Sequence, residues 1–471
     1  MYLVISFVVL IMSYCLFRKA AGTMALKHIN MVSFTFYILV MTVFIGSLLI
    51  VFQIDNQGYL YKISNEEIRV YGWLGVLYTM IMMPIGMLIT SQALNEQSIH
   101  ALFGRHAQAP LRTFFRANDD CIRHALYVAS FLSILALLYT IYRLQTVPLL
   151  NALASLDDPR TLAIQRTEAR LEPGMFSNLL ATQLNFTPLI AYIAHLYWKM
   201  EKRYKDLIWF LFMFVVSIVS LTYNLTKGDL VLFILGFPLM AVVIKGKVAL
   251  KYVATTLLAI SVILVVLYVS FKGYNIERTI DVVELFFASI LVDRIITGQV
   301  LNYYYCLDIF PDVYSHIGFS SAGRLMHQLF RLEYSKDYGL IVMEYYDPIN
   351  VEQGLVGHAS TFFMGEAWAN FGLIGVIVAP VYVGLFIQAC YICFLKLKKT
   401  PIHVAAYAFI SIRVIRATLT GFIGFYYPVG HVLSLLMLLC WVVLASILKS
   451  STARVSWPHP EKNNILSSRW T

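Results

Sequence analysis

IHVAAYAFISIRVIRATLTGFIGFYY, residues 402–427, is apolar over a length that spans a bilayer, yet it carries Arg413 and Arg416 well inside. A helix needs roughly 20 residues to cross about 30 Å of hydrocarbon, and this run suffices. Runs of the same kind recur along the chain, at about 1–17, 31–53, 70–93, 122–143, 176–198, 207–225, 229–244, 249–270, 373–395, 402–424 and 430–448. The first lacks a basic start and a small-residue cleavage site, so it reads as a helix and not as a signal peptide. The 471 residues are 59% hydrophobic and 13% charged, whereas soluble domains run closer to a quarter charged. The expected class is an all-α polytopic integral membrane protein of about eleven transmembrane helices.

The connections set the orientation. Basic residues follow every second span: Arg18 and Lys19 after the first; Arg105, Arg112 and Arg116 after the third; Lys199, Lys202, Arg203 and Lys205 after the fifth. Lys245 and Lys247 follow the seventh, Lys396, Lys398 and Lys399 the ninth, and Lys449, Arg454, Lys462 and Arg469 the last. Lysine and arginine collect in cytoplasmic loops, so the N-terminus is expected outside and the C-terminus inside. The net charge of +10 follows from these loops. No basic tract with interleaved aromatics points to nucleic acid. The cysteines (15, 121, 306, 390, 393 and 440) are scattered and read as packing residues. Cys390 and Cys393 lie within a span that lacks the polar partners of a metal site, and no Asp-x-Asp marks a divalent cation. No metal and no cofactor is expected.

The expected organisation is helices 1–4 over 1–143, an arginine-rich outer loop over 144–175 and helices 5–8 over 176–270. A large outer loop with amphipathic helices covers 271–372, helices 9–11 cover 373–448, and a cytoplasmic tail covers 449–471. Long loops without disorder signals are usually functional, so the outer face is the expected working face. In the first loop, Arg166 and Arg170 share a helical face and Arg160 lies one and a half turns before; this is a solvated helix or a guanidinium cluster for a diphosphate. Arg413 and Arg416 share a face within the membrane, where an arginine costs at least about 2.5 kcal/mol. They read as a cationic wall for an anionic, membrane-embedded ligand, with pairing to buried carboxylates the alternative. Lys227 and Asp229 mark the outer turn between the sixth and seventh spans. Arg294, and Arg324 with His327 and Arg331 on one helical face, belong to the long outer loop. The tyrosines of NYYYCLDIF (302–310) lie in the same loop.

GHASTFFMGEAWANFGLIG (357–375) enters the ninth span. As a helix it lines up His358, Phe362, Glu366 and Asn370 in one stripe, beside a small-residue stripe of Gly365, Ala369 and Gly372. A partly desolvated carboxyl there is suited to general-base work, and Glu366 or His358 is the candidate.

The pattern Gly357-x-x-Ser360, Gly365-Glu366, Asn370-Phe371-Gly372 and Gly375 resembles the C-terminal signature of bacterial oligosaccharide repeat-unit polymerases, the O-antigen polymerase family. The resemblance implies a multi-pass protein of the bacterial inner membrane with two large periplasmic loops, similar to metal-independent multispan (GT-C-like) glycosyltransferases. It implies transfer of a growing glycan from one undecaprenyl diphosphate carrier onto a newly flipped lipid-linked repeat unit, with membrane lipids and a chain-length regulator as partners. The family's functional loop arginines fall, loop for loop, on Arg160, Arg166 and Arg170 and on Arg294, Arg324 or Arg331. The tyrosines of 302–310 would then be placed to stack sugars, and direct displacement would invert the anomeric centre. A glycan ligase is the nearest alternative, and a lipid-linked oligosaccharide flippase or a non-catalytic scaffold the more distant ones.

Overall fold

The computed structural model describes residues 1–54, 62–63, 65–96, 98–112, 119–144, 146–154, 159–169, 175–272, 285–321, 331, 336, 338–354, 361–426 and 429–455. Within them every regular element is helical. Nine helices among the described residues are long and apolar enough to cross a membrane, and the shorter apolar stretches Leu250–Val266 and Val432–Leu444 fall on the two remaining predicted spans. The chain is a multi-pass membrane protein.

The helices used below are α1 (Tyr2–Ala21), α2 (Met31–Val51), α3 (Glu67–Ala93), α4 (Ile99–Gln108) and α5 (Asp119–Arg143). They continue with α6 (Pro159–Glu168), α7 (Met175–Glu201), α8 (Tyr204–Thr222), α9 (Gly228–Lys245) and α10 (Leu250–Lys272). The last are α11 (Leu301–Ile309), α12 (Tyr338–Tyr346), α13 (Phe362–Lys396), α14 (Pro401–Thr420) and α15 (Val429–Val455).

Local chemistry sets the helix ends. Asn30 opens α2 with a reciprocal capping box to Ser33, satisfying two orphan donors of the first turn. Thr400 caps α14 through its side chain, and Pro401 occupies the first helical position, where no N–H is needed. The predicted start of the ninth span at 373 falls on a break: α13 runs on from Phe362, but Gly372 within it has φ 58° and ψ −138°. Only glycine takes that backbone without a Cβ penalty.

Side-chain amides and hydroxyls knit the core where apolar surface alone gives no register. Gln388 on α13 donates to Ala20 O and Ser91 Oγ, each at 3.0 Å, and Tyr391 donates to Ala21 O at 3.0 Å, so α1, α3 and α13 are locked together.

The basic connections gather at one end of the bundle. His100 Nδ1 lies 2.8 Å from Gly22 O, and His28 Nδ1 lies 2.6 Å from Gly246 O. Lys399 Nζ donates to Ala107 O at 3.0 Å. Connections that follow the first, third, seventh and ninth spans therefore meet. Arg123, nearly buried, lies at the start of α5 with Asp206 at 3.6 Å and with Glu201.

In the described part of 271–372, the expected helix at 285–296 packs against the bundle, while the tyrosines depart from expectation. Leu285–Ile296 winds as a π-helix packed near α2, with Ile296 O against Gly46. The tyrosines of 303–305 are core residues and not a sugar platform. Tyr304 is fully buried with its hydroxyl 2.7 Å from Ser47 Oγ, and Tyr305 stacks on Tyr346 at 3.8 Å. Burying three aromatic bodies beside α2 and α3 outweighs exposing them to stack on ligand.

Candidate functional site

A cavity of about 440 Å³ lies between α7, α8, the 223–229 turn and α14. Its charged lining is Arg413, Arg416 and Asp229, and Asn185, Asn224 and Thr226 add polar groups. Arg413 and Arg416, one helical turn apart, both reach it from α14, as their spacing predicts. Arg413 Nη2 donates to Asn185 Oδ1 at 3.0 Å, and its guanidinium lies 5.0 Å from the Phe409 ring centre. Arg416 Nη1 is 2.5 Å from Asp229 Oδ1. So one of the two arginines has a carboxylate partner, and the other is held by an amide, which leaves its charge uncompensated by that contact.

The far wall is a strap of main chain. α14 ends at Thr420, and Gly421 and Phe422 run on in a non-helical path before the short helix Ile423–Tyr426. Thr420, Ile423 and Gly424 line the cavity. Behind the strap sits Glu366, fully buried, whose Oε2 accepts the Ile423 N–H at 2.8 Å. Tyr338 from α12 donates its hydroxyl to Thr420 O at 2.8 Å, and the Thr361 N–H reaches the same oxygen at 3.4 Å. A Cβ at Gly421 would lie 2.5 Å from both Glu366 Oε2 and the Tyr338 hydroxyl, so the close approach depends on glycine. Asn370, one turn beyond Glu366, donates to Ser321 Oγ at 2.6 Å, and Ser321 meets the Tyr426 hydroxyl at 3.0 Å. The start of α13 is strained: Phe362, fully buried, has φ 50° and holds a conformation that costs about 1–3 kcal/mol.

The other sequence candidates distribute as follows. Glu366 lies directly behind the cavity wall, and His358 falls outside the described residues. Arg160 and Arg166 are exposed on α6, while Arg170 and Arg324 fall outside the described residues. α6 packs through Leu162 against Ala152 and Leu225, and the Leu149 N–H reaches Tyr223 O at 3.3 Å, so residues 149, 152 and 162 pack on the turn beside the cavity. Lys227 is half-buried in that turn, between the lining residues Thr226 and Asp229. Arg294 and Arg331 are exposed, the latter with φ 51°. Sequence reading missed Asn185, Asn224 and Tyr338. The polar run Gln183, Asn185 and Thr187 inside an apolar span was the available signal for the first. Asp229 was noted as a turn charge only.

Among the described residues, no group of three or more His, Cys, Asp or Glu side chains comes together to hold a metal ion. The cavity presents two planar guanidinium groups, one carboxylate, amides and hydroxyls on one concave surface, and guanidinium groups are suited to meeting an anion. Comparison with protein-family models, curated proteins and solved structures finds no match to this chain.

Proposed function

We propose that the chain is a glycosyltransferase that polymerises lipid-linked oligosaccharide repeat units at the outer face of the bacterial inner membrane. The observation that carries the reading is the arginine cavity, which opens beside helices apolar enough to accompany a polyprenyl tail. A diphosphate head needs fixed positive charge near lipid, and Arg413 and Arg416 supply it.

In the proposed reaction an acceptor sugar hydroxyl attacks the anomeric carbon of the growing glycan. The bond from that carbon to the diphosphate oxygen breaks, and the electron pair leaves with the polyprenyl diphosphate beside the arginines. The hydroxyl proton passes to a carboxylate. Glu366 or His358 is the expectation from sequence, and the contact of Glu366 with Ile423 also gives that residue a positioning role. Asp229 is the carboxylate inside the cavity, held by Arg416.

The test begins with surface polysaccharide on a gel, from cells lacking the gene and complemented with variants. Deletion should leave a single repeat unit on its anchor, and wild type should restore the ladder. Full-length polymer stranded on its carrier would make the protein a ligase. Absence of any repeat unit outside would make it a transporter. Glu366→Gln keeps an oxygen that accepts the Ile423 N–H but removes the base: loss of the ladder assigns Glu366 the proton, and a normal ladder passes that role to His358 or Asp229.

A further inference from the structure

A second cavity, of about 490 Å³, lies at the other end of the α13–α14 hairpin, between α4 and the 397–400 connection. Five cationic side chains line it: Arg105, Arg112, Lys396, Lys398 and Lys399. Among the described lining residues Glu96 is the one carboxylate, and it is engaged by Lys396 at 2.7 Å.

The connection is built and not merely basic. Lys399 is 3% exposed, its Nζ donates to Ala107 O, and its own carbonyl accepts the Arg112 N–H at 2.9 Å. His106 Nδ1 lies 3.1 Å from Leu395 O. Burial lowers the Lys399 pKa to about 8, and burial together with the Lys399 charge lowers that of His106 to about 4. At neutral pH the lysine is a desolvated cation and the histidine a neutral ring.

Topology gives a bland account of part of this. Basic residues in connections orient membrane proteins, and cations in the last turn of a helix meet its negative end. Arg105 sits in the last turn of α4 and Lys396 in that of α13, so those two are explained. Neither rule requires a nearly buried lysine, nor Arg112 and Lys398 around one concavity.

We propose that this cavity binds a phosphate-bearing anion, separately from the arginine cavity. Lys399 supplies the inner charge, and Arg105, Arg112 and Lys398 close over the ligand from the rim. Two sources carry the same chemistry: the headgroup of an anionic phospholipid and a soluble polyphosphate.

The test uses the full chain purified in detergent and its thermal unfolding. Phosphatidylglycerol, phosphatidylcholine and inorganic pyrophosphate are titrated against wild type and against Arg105→Gln/Arg112→Gln, whose side chains are exposed and leave the core intact. Wild type should show a saturable Tm rise of about 2 °C or more, and the double variant should lose most of it. A rise with phosphatidylglycerol alone assigns the site to a headgroup. A rise with pyrophosphate as well assigns it to soluble phosphates. No rise in wild type with either anion, an equal rise with phosphatidylcholine, or an equal rise in the double variant overturns the proposal. Lys398→Gln gives an independent check if the double variant is unstable on its own.

Discussion

The two cavities at opposite ends of α13 and α14 hold their cations in different ways. In the arginine cavity, Arg413 and Arg416 project from within a helix and each is aimed by a specific partner, Asn185 or Asp229. In the other, the cations crowd onto helix ends and connections, with one carboxylate among the described lining residues. Orientation costs a buried partner, and it fixes where a developing charge is met. Crowding needs no such partner, and it selects for charge more than for geometry. The first arrangement suits chemistry at a defined atom, and the second suits retention of an anion.

The sharpest way to break this contrast is at Arg416. Arg416→Ala should lower polymer formation by about 10²–10³-fold, the scale for removing one oriented charge from a leaving group. It also strands Asp229, itself a candidate base, so Arg416→Lys, which keeps a cation beside that carboxylate but not the planar fork, is the control. Wild-type protein level with no restored polymer is the expected result, read by immunoblot and gel. A normal ladder in Arg416→Ala would remove that arginine from the reaction.

The strap comes next. Gly421→Ala should destabilise by about 1–3 kcal/mol, because its Cβ meets two polar oxygens at 2.5 Å and forces them apart. Polymer should fall with it, while the anion response at the other cavity stays unchanged.

Lys399 gives a pH signature of its own. Its pKa is lowered from 10.5 to about 8 in the folded chain. Between those values the unfolded chain holds more protons, so stability should rise with pH across the window. The expected gain is about 1–2 kcal/mol once the shift is discounted for solvent screening. Thermal unfolding from about pH 7 to the unperturbed lysine value measures it, and Lys399→Met should flatten the profile.

Tyr338→Phe is the mildest test. It removes one hydrogen bond to Thr420 O while Thr361 N–H still reaches that oxygen. About 1 kcal/mol of stability should go, with polymer yield reduced less than by Gly421→Ala.

The spans were legible because length and apolarity alone define them, down to short ones such as α9. Arg413 and Arg416 were legible as a pair because an i, i+3 spacing in a membrane helix places both on one face. Neither Tyr338 nor Asn185 was. Their contacts join residues 82 and 228 positions apart, and no local periodicity encodes such a distance. The tyrosines of 303–305 misled for a related reason: aromatic rings read alike whether they pack on a neighbouring helix or on a sugar. Glu366 was found by its stripe, but its partner is a backbone amide, which carries no residue identity to search for.

The same backbone contact governs how the arginine cavity is able to diversify. The strap is gripped through main-chain atoms, Thr420 O and Ile423 N, while the Ile423 residue also lines the cavity. Frame and lining are therefore under separate genetic control. In a saturation library, Glu366, Tyr338 and Gly421 should tolerate few replacements, whereas position 423 should accept many and change which glycan is joined. On the proposed function, a scaffold of this kind lets a lineage exchange one sugar for another by single substitutions, without rebuilding the frame around Arg413 and Arg416.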